Sequence, residues 1–150
     1  MGVFKLAAAV HGILRDDSRI LLMRRAGSGY HDGELDLPSG HLEGGEDALH
    51  GLRRELLEEL GIRTDPESCQ LALVIHRAPE FVQDAEYIDL LFEVGSWSGT
   101  PTVEEPDHCS ELAWVDADAL SDEIIPHVRD ALKAVASGQS LMLYGWPTGG

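Results

Sequence analysis

The sequence predicts an α/β domain in which a mixed β-sheet lies between helices. Short apolar, β-rich segments flank one central amphipathic stretch, and a second amphipathic stretch comes late in the chain. The 150 residues, 43% of them hydrophobic, suit one domain with its own core, so residues 1–150 are read as a single unit. No internal repeat, low-complexity tract or linker divides it.

Val3 to Leu14 reads as the first strand, its apolar residues alternating at Phe4, Leu6, Ala8 and Val10, and Asp16-Asp17-Ser18 as the turn after it. The apolar patch from Met1 to Val10 lacks a basic cluster and a cleavage site, so it is not read as a signal peptide. Arg19 to Arg25 is the partner strand, with Ile20-Leu21-Leu22-Met23 as its apolar run. A Gly-rich loop, Ala26 to Gly33, leads to a brief strand at Leu35 and Leu37 that Pro38 ends. Ser39 to Gly45 is expected to be a loop. After the central helix, Thr64 to Ser68 is a connector, Leu71 to His76 a strand and Pro79 to Ala85 a turn region. Tyr87 to Val94 is a strong strand, Gly95 to Glu105 a loop and Leu112 to Val115 a short strand. The second helix is expected from Pro126 to Ser137, with Pro126 in its first turn, Val128, Leu132 and Val135 on its apolar face and Gly138 at its stop. Leu141 to Tyr144 adds a final strand or packs on the sheet.

The central helix carries the chemistry. Ala48, Leu49, Leu52, Leu56 and Leu60 recur at three- and four-residue spacing and make a buried stripe. Gly44-Gly45 break the chain before it, Glu46-Asp47 place negative charge at its start, and Gly61 suits a left-handed cap at its end. Glu55, Glu58 and Glu59 fall three and four residues apart, so all three point the same way. Like charges so close destabilise an isolated helix. A hard divalent cation, which takes oxygen ligands, offsets that repulsion. Taken alone, such a run also suits a solvated surface face. Arg54 is placed to pair with Glu46 and tie the loop to the helix.

The net charge of −16 excludes nucleic-acid polymers as partners, since these require clustered Lys and Arg. No apolar run is long enough to span a membrane, and a cytoplasmic protein is the default expectation. Cys69 and Cys109 fit no zinc spacing and read as thiols in a reducing compartment. His31, His41 and His50 surround the acidic helix without ligand spacing.

From Gly40 to Ile62 the chain reads Gly40, five residues, Glu46, seven residues, then Arg54-Glu55-Leu56-Leu57-Glu58-Glu59-Leu60-Gly61-Ile62. This resembles the Nudix box at every fixed position. The resemblance implies a Nudix fold, an α/β/α sandwich with a mixed sheet, and hydrolysis of a nucleoside diphosphate linked to another group. It implies Mg²⁺, with Mn²⁺ as a substitute, held by Glu58 and Glu59, by Glu55 as ligand or water-orienting base, and by the Gly40 carbonyl. Glu46 is a weaker catalytic candidate. Trp97-Ser98-Gly99-Thr100-Pro101 followed by an acidic loop looks like the MutT-type arrangement, so Glu105, then Glu104, is the choice for a further catalytic and metal-binding carboxylate. An acidic surface loop is the alternative there. Arg24 and Arg25 end the second strand near where the family places a phosphate-binding arginine. Arg25 is preferred, a solvated strand end being the alternative.

One departure from the family pattern is visible. Pro38-Ser39-Gly40 stands where Pro-Gly-Gly is common, and the Cβ of Ser39 bars Gly-only backbone conformations. By analogy the substrate is a small nucleotide, most simply a nucleoside triphosphate cleaved to monophosphate and pyrophosphate. ADP-ribose, sugar nucleotides and dinucleoside polyphosphates are the alternatives, and a non-catalytic nucleotide-binding module is the rival of another class. Tyr30, Phe81, Tyr87 and Trp146 are candidate base stackers. A homodimer is compatible with the composition.

Overall fold

The computed structural model describes residues 2–147. Met1, where the apolar N-terminal patch begins, and residues 148–150, the end of the expected single domain, lie outside the described residues. The strands are β1 (Ala7–Ile13), β2 (Arg15–Asp16), β3 (Arg19–Arg25), β4 (Leu35–Asp36) and β5 (Ser39–His41) before the helix α1 (Ala48–Leu60). After it come β6 (Arg63–Thr64), a 3₁₀ turn (Pro66–Ser68), β7 (Cys69–Arg77), β8 (Tyr87–Val94), β9 (Trp97–Ser98) and β10 (Cys109–Asp116). The helix α2 (Pro126–Ala136) and the strand β11 (Leu141–Tyr144) complete the described elements.

The expected mixed sheet is present. Five strands run in the order β11-β7-β8-β1-β5. β1 is parallel to β8 and β11 to β7, while β7–β8 and β1–β5 are antiparallel. An antiparallel sheet of β10, β3 and β2, with β4 beside β3, stands against it. Period-2 alternation explains how one set of strands feeds two cores. Ile20, Leu22 and Leu91 face the core under α2, where Val128, Ala131 and Leu132 pack. Leu21, Met23 and Phe92 face the core under α1. The result is the expected sandwich with a helix on each side.

α1 forms where the sequence predicts. Asp47 caps it, its side chain accepting from the His50 backbone N–H at 2.9 Å, and Gly61 closes it at φ 69°. Leu52, Leu56 and Leu60 are wholly buried, and each contributes about 1.5–3 kcal/mol by leaving water. That stripe fixes the rotation of the helix and therefore the direction of its acids.

Several boundaries differ from expectation. β1 begins at Ala7, not Val3, because its partners begin there: Ala7 pairs with Tyr87 and Ala9 with His41. Val3 and Phe4 stay exposed. Ser39–His41, read as loop, is an edge strand, with Ser39 opposite His11. Ser39 thus sits in ordinary extended pairing, and its Cβ leaves the shape of this loop undisturbed. The segments read as connector and loop around Thr64 and Trp97 pair with each other, Arg63 opposite Ser98. β10 starts three residues early, at Cys109, with a register shift between Cys109 and Glu111 where it meets Arg25 and Arg24. Both cysteines are free thiols. Among the described residues no helix is long and apolar enough to cross a membrane.

Candidate active site

A cleft of about 840 Å³ opens between the two sheets. One face of the five-stranded sheet makes its floor. The register places Ala9 opposite Asp89 and Arg77 opposite Tyr87, and His11 lies two residues beyond Ala9 on the same face. The end of β3 and the loop after it contribute Arg25, Ser28 and Tyr30, and Asp36 comes from β4. The acids Glu55, Glu58 and Glu59 of α1 line the rim together with Gly40 of β5 and Glu105 of the loop before β10.

The predicted acids therefore meet in one place, but in different environments. Glu58 is half exposed, with Arg54 Nη1 at 3.4 Å. Glu55 is more enclosed and accepts from Arg54 Nη1 at 2.7 Å. Burial raises the Glu55 pKa while Arg54 opposes it, and the net direction is upward. Glu59 points inward. Burial, then the negative charges of Glu55 and Asp36, push its carboxyl up to about 9, and Glu105 adds to the effect. At neutral pH Glu59 therefore carries a proton. Among the described residues no three His, Cys, Asp or Glu side chains are already closed into a metal-ligand geometry. Arg54 and the proton hold the cluster together as it stands.

Arg54 links this cluster to the preceding loop. Its guanidinium donates to Glu46 Oε1 and Oε2 at 2.7 and 3.1 Å and to the His41 carbonyl at 3.1 Å. The pairing expected from sequence is thus present. Arg54 and the Glu43 backbone N–H hold Glu46 down at about 2. Glu46 is not among the residues that line the cleft, and its contacts are with Arg54 and the Glu43 backbone. A Cβ at Gly40 would overlap the Glu55 carboxyl, so any side chain there must displace that group.

The distant acid comes into reach because its loop docks on the end of α1. Thr102 N–H donates to the Leu60 carbonyl and Glu104 N–H to the Glu59 carbonyl, at 3.0 and 3.1 Å. Glu105 then lines the cleft. The Glu104 side chain instead accepts from Thr102 Oγ1 and packs over Gly61. Of the two arginines, Arg24 lies outside the cleft, paired with Glu111 and Glu123. Arg25 lines the cleft, but its guanidinium is engaged with the Tyr30 carbonyl, Asp36 and Ser28. Among the aromatics, Tyr30 and Tyr87 line the cleft, whereas Trp146 packs on His76.

Sequence reasoning missed the floor. Asp89 is fully buried and accepts from Arg77 Nε at 2.8 Å, with His11 Nε2 at 2.9 Å. These contacts hold its carboxyl well below the usual range despite its burial. Arg77 also lies over the Tyr87 ring, 4.4 Å from its centroid. His127 at the start of α2 closes the back of the cleft, and burial and then Arg77 push its imidazole down to about 4. One signal was available: Asp89 sits in the apolar run Ile88 to Phe92, and a buried charge needs a partner.

The site is thus a cleft lined by the carboxylates of a capped helix, set in an α/β/α sandwich. The family model of the Nudix domain matches residues 4–136, and the chain belongs to the Nudix family. A MutT Nudix hydrolase from Burkholderia pseudomallei is 26% identical with TM-score 0.78, over 87% of this chain and 98% of the other. A MutT protein from Methanosarcina mazei shares the fold at 20% identity and TM-score 0.74, over 87% and 93%. So does a bifunctional NMN adenylyltransferase/ADP-ribose pyrophosphatase from Francisella tularensis, complexed with AMP and a manganese ion. That likeness has TM-score 0.70 at 17% identity and covers 89% of this chain and 42% of the other. Comparison with curated proteins gives no match.

Proposed function

We propose that this protein hydrolyses the pyrophosphate linkage of a nucleoside diphosphate joined to another group, with Mg²⁺ as cofactor and Mn²⁺ as substitute. The favoured substrate is a nucleoside triphosphate, yielding monophosphate and pyrophosphate. ADP-ribose, sugar nucleotides and dinucleoside polyphosphates are the alternatives. The observation that carries this reading is the gathering of Glu55, Glu58, Glu59 and Glu105 on one rim of a nucleotide-sized cleft.

The donor set fits a hard divalent cation. Every candidate ligand is an oxygen: the carboxylates of Glu55, Glu58, Glu59 and Glu105 and the carbonyl of Gly40. The raised pKa of Glu59 speaks for the same fit, because an uncompensated acid cluster has drawn a proton where a cation would sit. When bound, the cation would supply charge neutralisation at the phosphate oxygens and an acidified water. The chain's own residues then bind and orient. Glu46, Arg54 and His41 hold β5, which carries Gly40, and the loop after it against α1. Tyr87 and Tyr30 offer aromatic surface to a base, and Arg25 and Arg77 present positive charge within the cleft. In the reaction a water oxygen bonds to phosphorus and the bridging P–O bond breaks. The electron pair leaves on the pyrophosphate, and the water proton passes to a carboxylate of the rim.

The test is a panel of nucleotides incubated with Mg²⁺, read by release of phosphate or pyrophosphate. Turnover of one class, lost in a folded Glu58→Gln variant, is expected. Full activity in Glu58→Gln would overturn the ligand assignment. Nucleotide binding without turnover of any compound would favour the non-catalytic module.

A further inference from the structure

The cleft has a second feature that the hydrolytic chemistry does not use. The loop after β3 (residues 26–34) and the loop between β7 and β8 (residues 78–86) meet at its mouth. Each is braced internally. Asp32 accepts from the Ser28 and Gly29 backbone N–H groups at 3.1 and 2.8 Å, and Asp84 accepts from the Glu80 backbone N–H at 3.3 Å. They are joined through one imidazole. His31 Nδ1 lies 2.9 Å from Glu34 Oε1, and His31 Nε2 lies 2.6 Å from Glu80 Oε1. The second oxygen of Glu80 accepts from the Tyr30 hydroxyl at 2.8 Å.

Ionised carboxylates only accept hydrogen bonds, so an imidazole between two of them satisfies both only when both ring nitrogens carry hydrogen. His31 is therefore an imidazolium in this arrangement. Its backbone adopts φ 50°, a left-handed conformation that a non-glycine residue holds only when its surroundings compel it. What the clasp holds in place is Tyr30. The Arg25 guanidinium lies 5.2 Å from the Tyr30 ring centroid, and Arg77 Nη1 reaches the Tyr30 hydroxyl at 3.4 Å. Phe81 packs on the Tyr30 ring edge-on at 6.2 Å. Tyr30, Arg25 and Arg77 line the cleft, and Asp36, paired with Arg25, is the group through which they meet the acids of α1.

We propose that His31 is a positioning residue, whose doubly bonded imidazolium clasps the two loops through Glu34 and Glu80 and so sets the wall that receives the nucleoside part of the substrate. This rests on the hydrolase reading for the identity of the substrate, but the clasp itself does not. The groups that govern its charge are Glu34 on its own loop and Glu80 across the mouth. Behind Glu80 lie Tyr30, Arg77 and His127. Burial opposes protonation of His31, the two carboxylates outweigh it, and the net direction of its pKa is upward. The sign follows: the clasp is complete below the ordinary histidine pKa and is lost as pH rises through the raised one.

Two measurements test this. The first is an NMR titration of the His31 ring in the wild type and in Glu80→Gln. A wild-type midpoint above the ordinary histidine value, falling towards it in the variant, is expected. A wild-type midpoint at or below the ordinary value would overturn the clasp whether or not the protein hydrolyses anything. The second is steady-state kinetics on the substrate found in the nucleotide panel. Loss of the charge-assisted bonds in His31→Gln should raise KM roughly fivefold to tenfold at pH 6, with kcat nearly unchanged. It should also remove the rise of KM with pH seen in the wild type. His31→Lys, which keeps a cation between the two carboxylates, should restore KM and stay flat over the same pH range. Equal falls of kcat and kcat/KM in His31→Gln, or an unchanged KM, would show that His31 only supports the fold. Absence of any turnover would sink the hydrolase reading while the titration still decided the clasp.

Discussion

Replacing Glu59 by Gln should make the metal-free protein more stable at neutral pH and, on the proposed function, abolish hydrolysis. The native Glu59 carboxyl titrates near 9, against 4.5 for an ordinary glutamate, because it is buried beside Glu55 and Asp36. Between those two values the native state binds a proton that the unfolded chain releases. Stability therefore falls as pH rises through that window. At pH 7 the gap from 4.5 is roughly 2.5 units, which at about 1.36 kcal/mol each is a cost of about 3 kcal/mol. Gln keeps the shape of the protonated acid and has no proton to acquire, so that cost disappears. For a chain of this size, about 3 kcal/mol is roughly 6–12 °C in Tm. The assay is urea and thermal unfolding of wild type and Glu59→Gln in a chelator, at pH 5 and pH 8. The gap between them should be small at pH 5 and widen at pH 8. A Glu59→Gln protein no more stable than wild type at pH 8 would refute the argument, as would wild-type stability that does not fall between the two pH values. The same variant should gain little stability from Mg²⁺, whereas the wild type should gain more as pH rises.

Two further outcomes follow from the geometry. Gly40→Ala should fold, with Tm within a few degrees of wild type, yet bind divalent cations weakly in calorimetric titration, because its Cβ displaces the Glu55 carboxyl. Asp89→Asn should cost about 3–5 kcal/mol in urea unfolding, since it leaves the Arg77 guanidinium buried with no charge to answer it; a cost below 1 kcal/mol would show that the network relaxes freely.

The acidic helix was legible because its information is local. Spacing alone puts Leu52, Leu56 and Leu60 on one face and the acids on another, and the Arg54–Glu46 pair is a short-range consequence of the same segment. The gathering of Glu105 beside Glu59 was legible only as a loop near a Trp, since what delivers it is the capping of the α1 carbonyls by Thr102 and Glu104. The two-residue pairing of β6 with β9 and the edge strand β5 were not legible. Those segments are polar or glycine-containing, and their strand character comes from partners remote in sequence. The cleft floor was hidden for the same reason. His11, Arg77 and Asp89 are ordinary letters in three separate strands, and only the register of β1, β7 and β8 makes them neighbours.

On the proposed function, a chain of net charge −16 must present a site for anions. Charge in this molecule is partitioned by position. Acids of α1 line the cleft, Arg25 and Arg77 line it with them, and Arg54 pairs with Glu55 as an internal counter-ion. Without Arg54 and the Glu59 proton, like charges three and four residues apart would oppose α1 itself. On the proposed function, a divalent cation entering the rim competes with both. It must draw Glu55 away from Arg54 Nη1 and release the proton from Glu59, so its affinity should rise with pH. Arg54 remains fixed by Glu46 and the His41 carbonyl when that happens, so the strand bearing Gly40 keeps its place while the acids change partners. The helix can therefore fold before any ion arrives and yet give up its temporary positive charges to one that does.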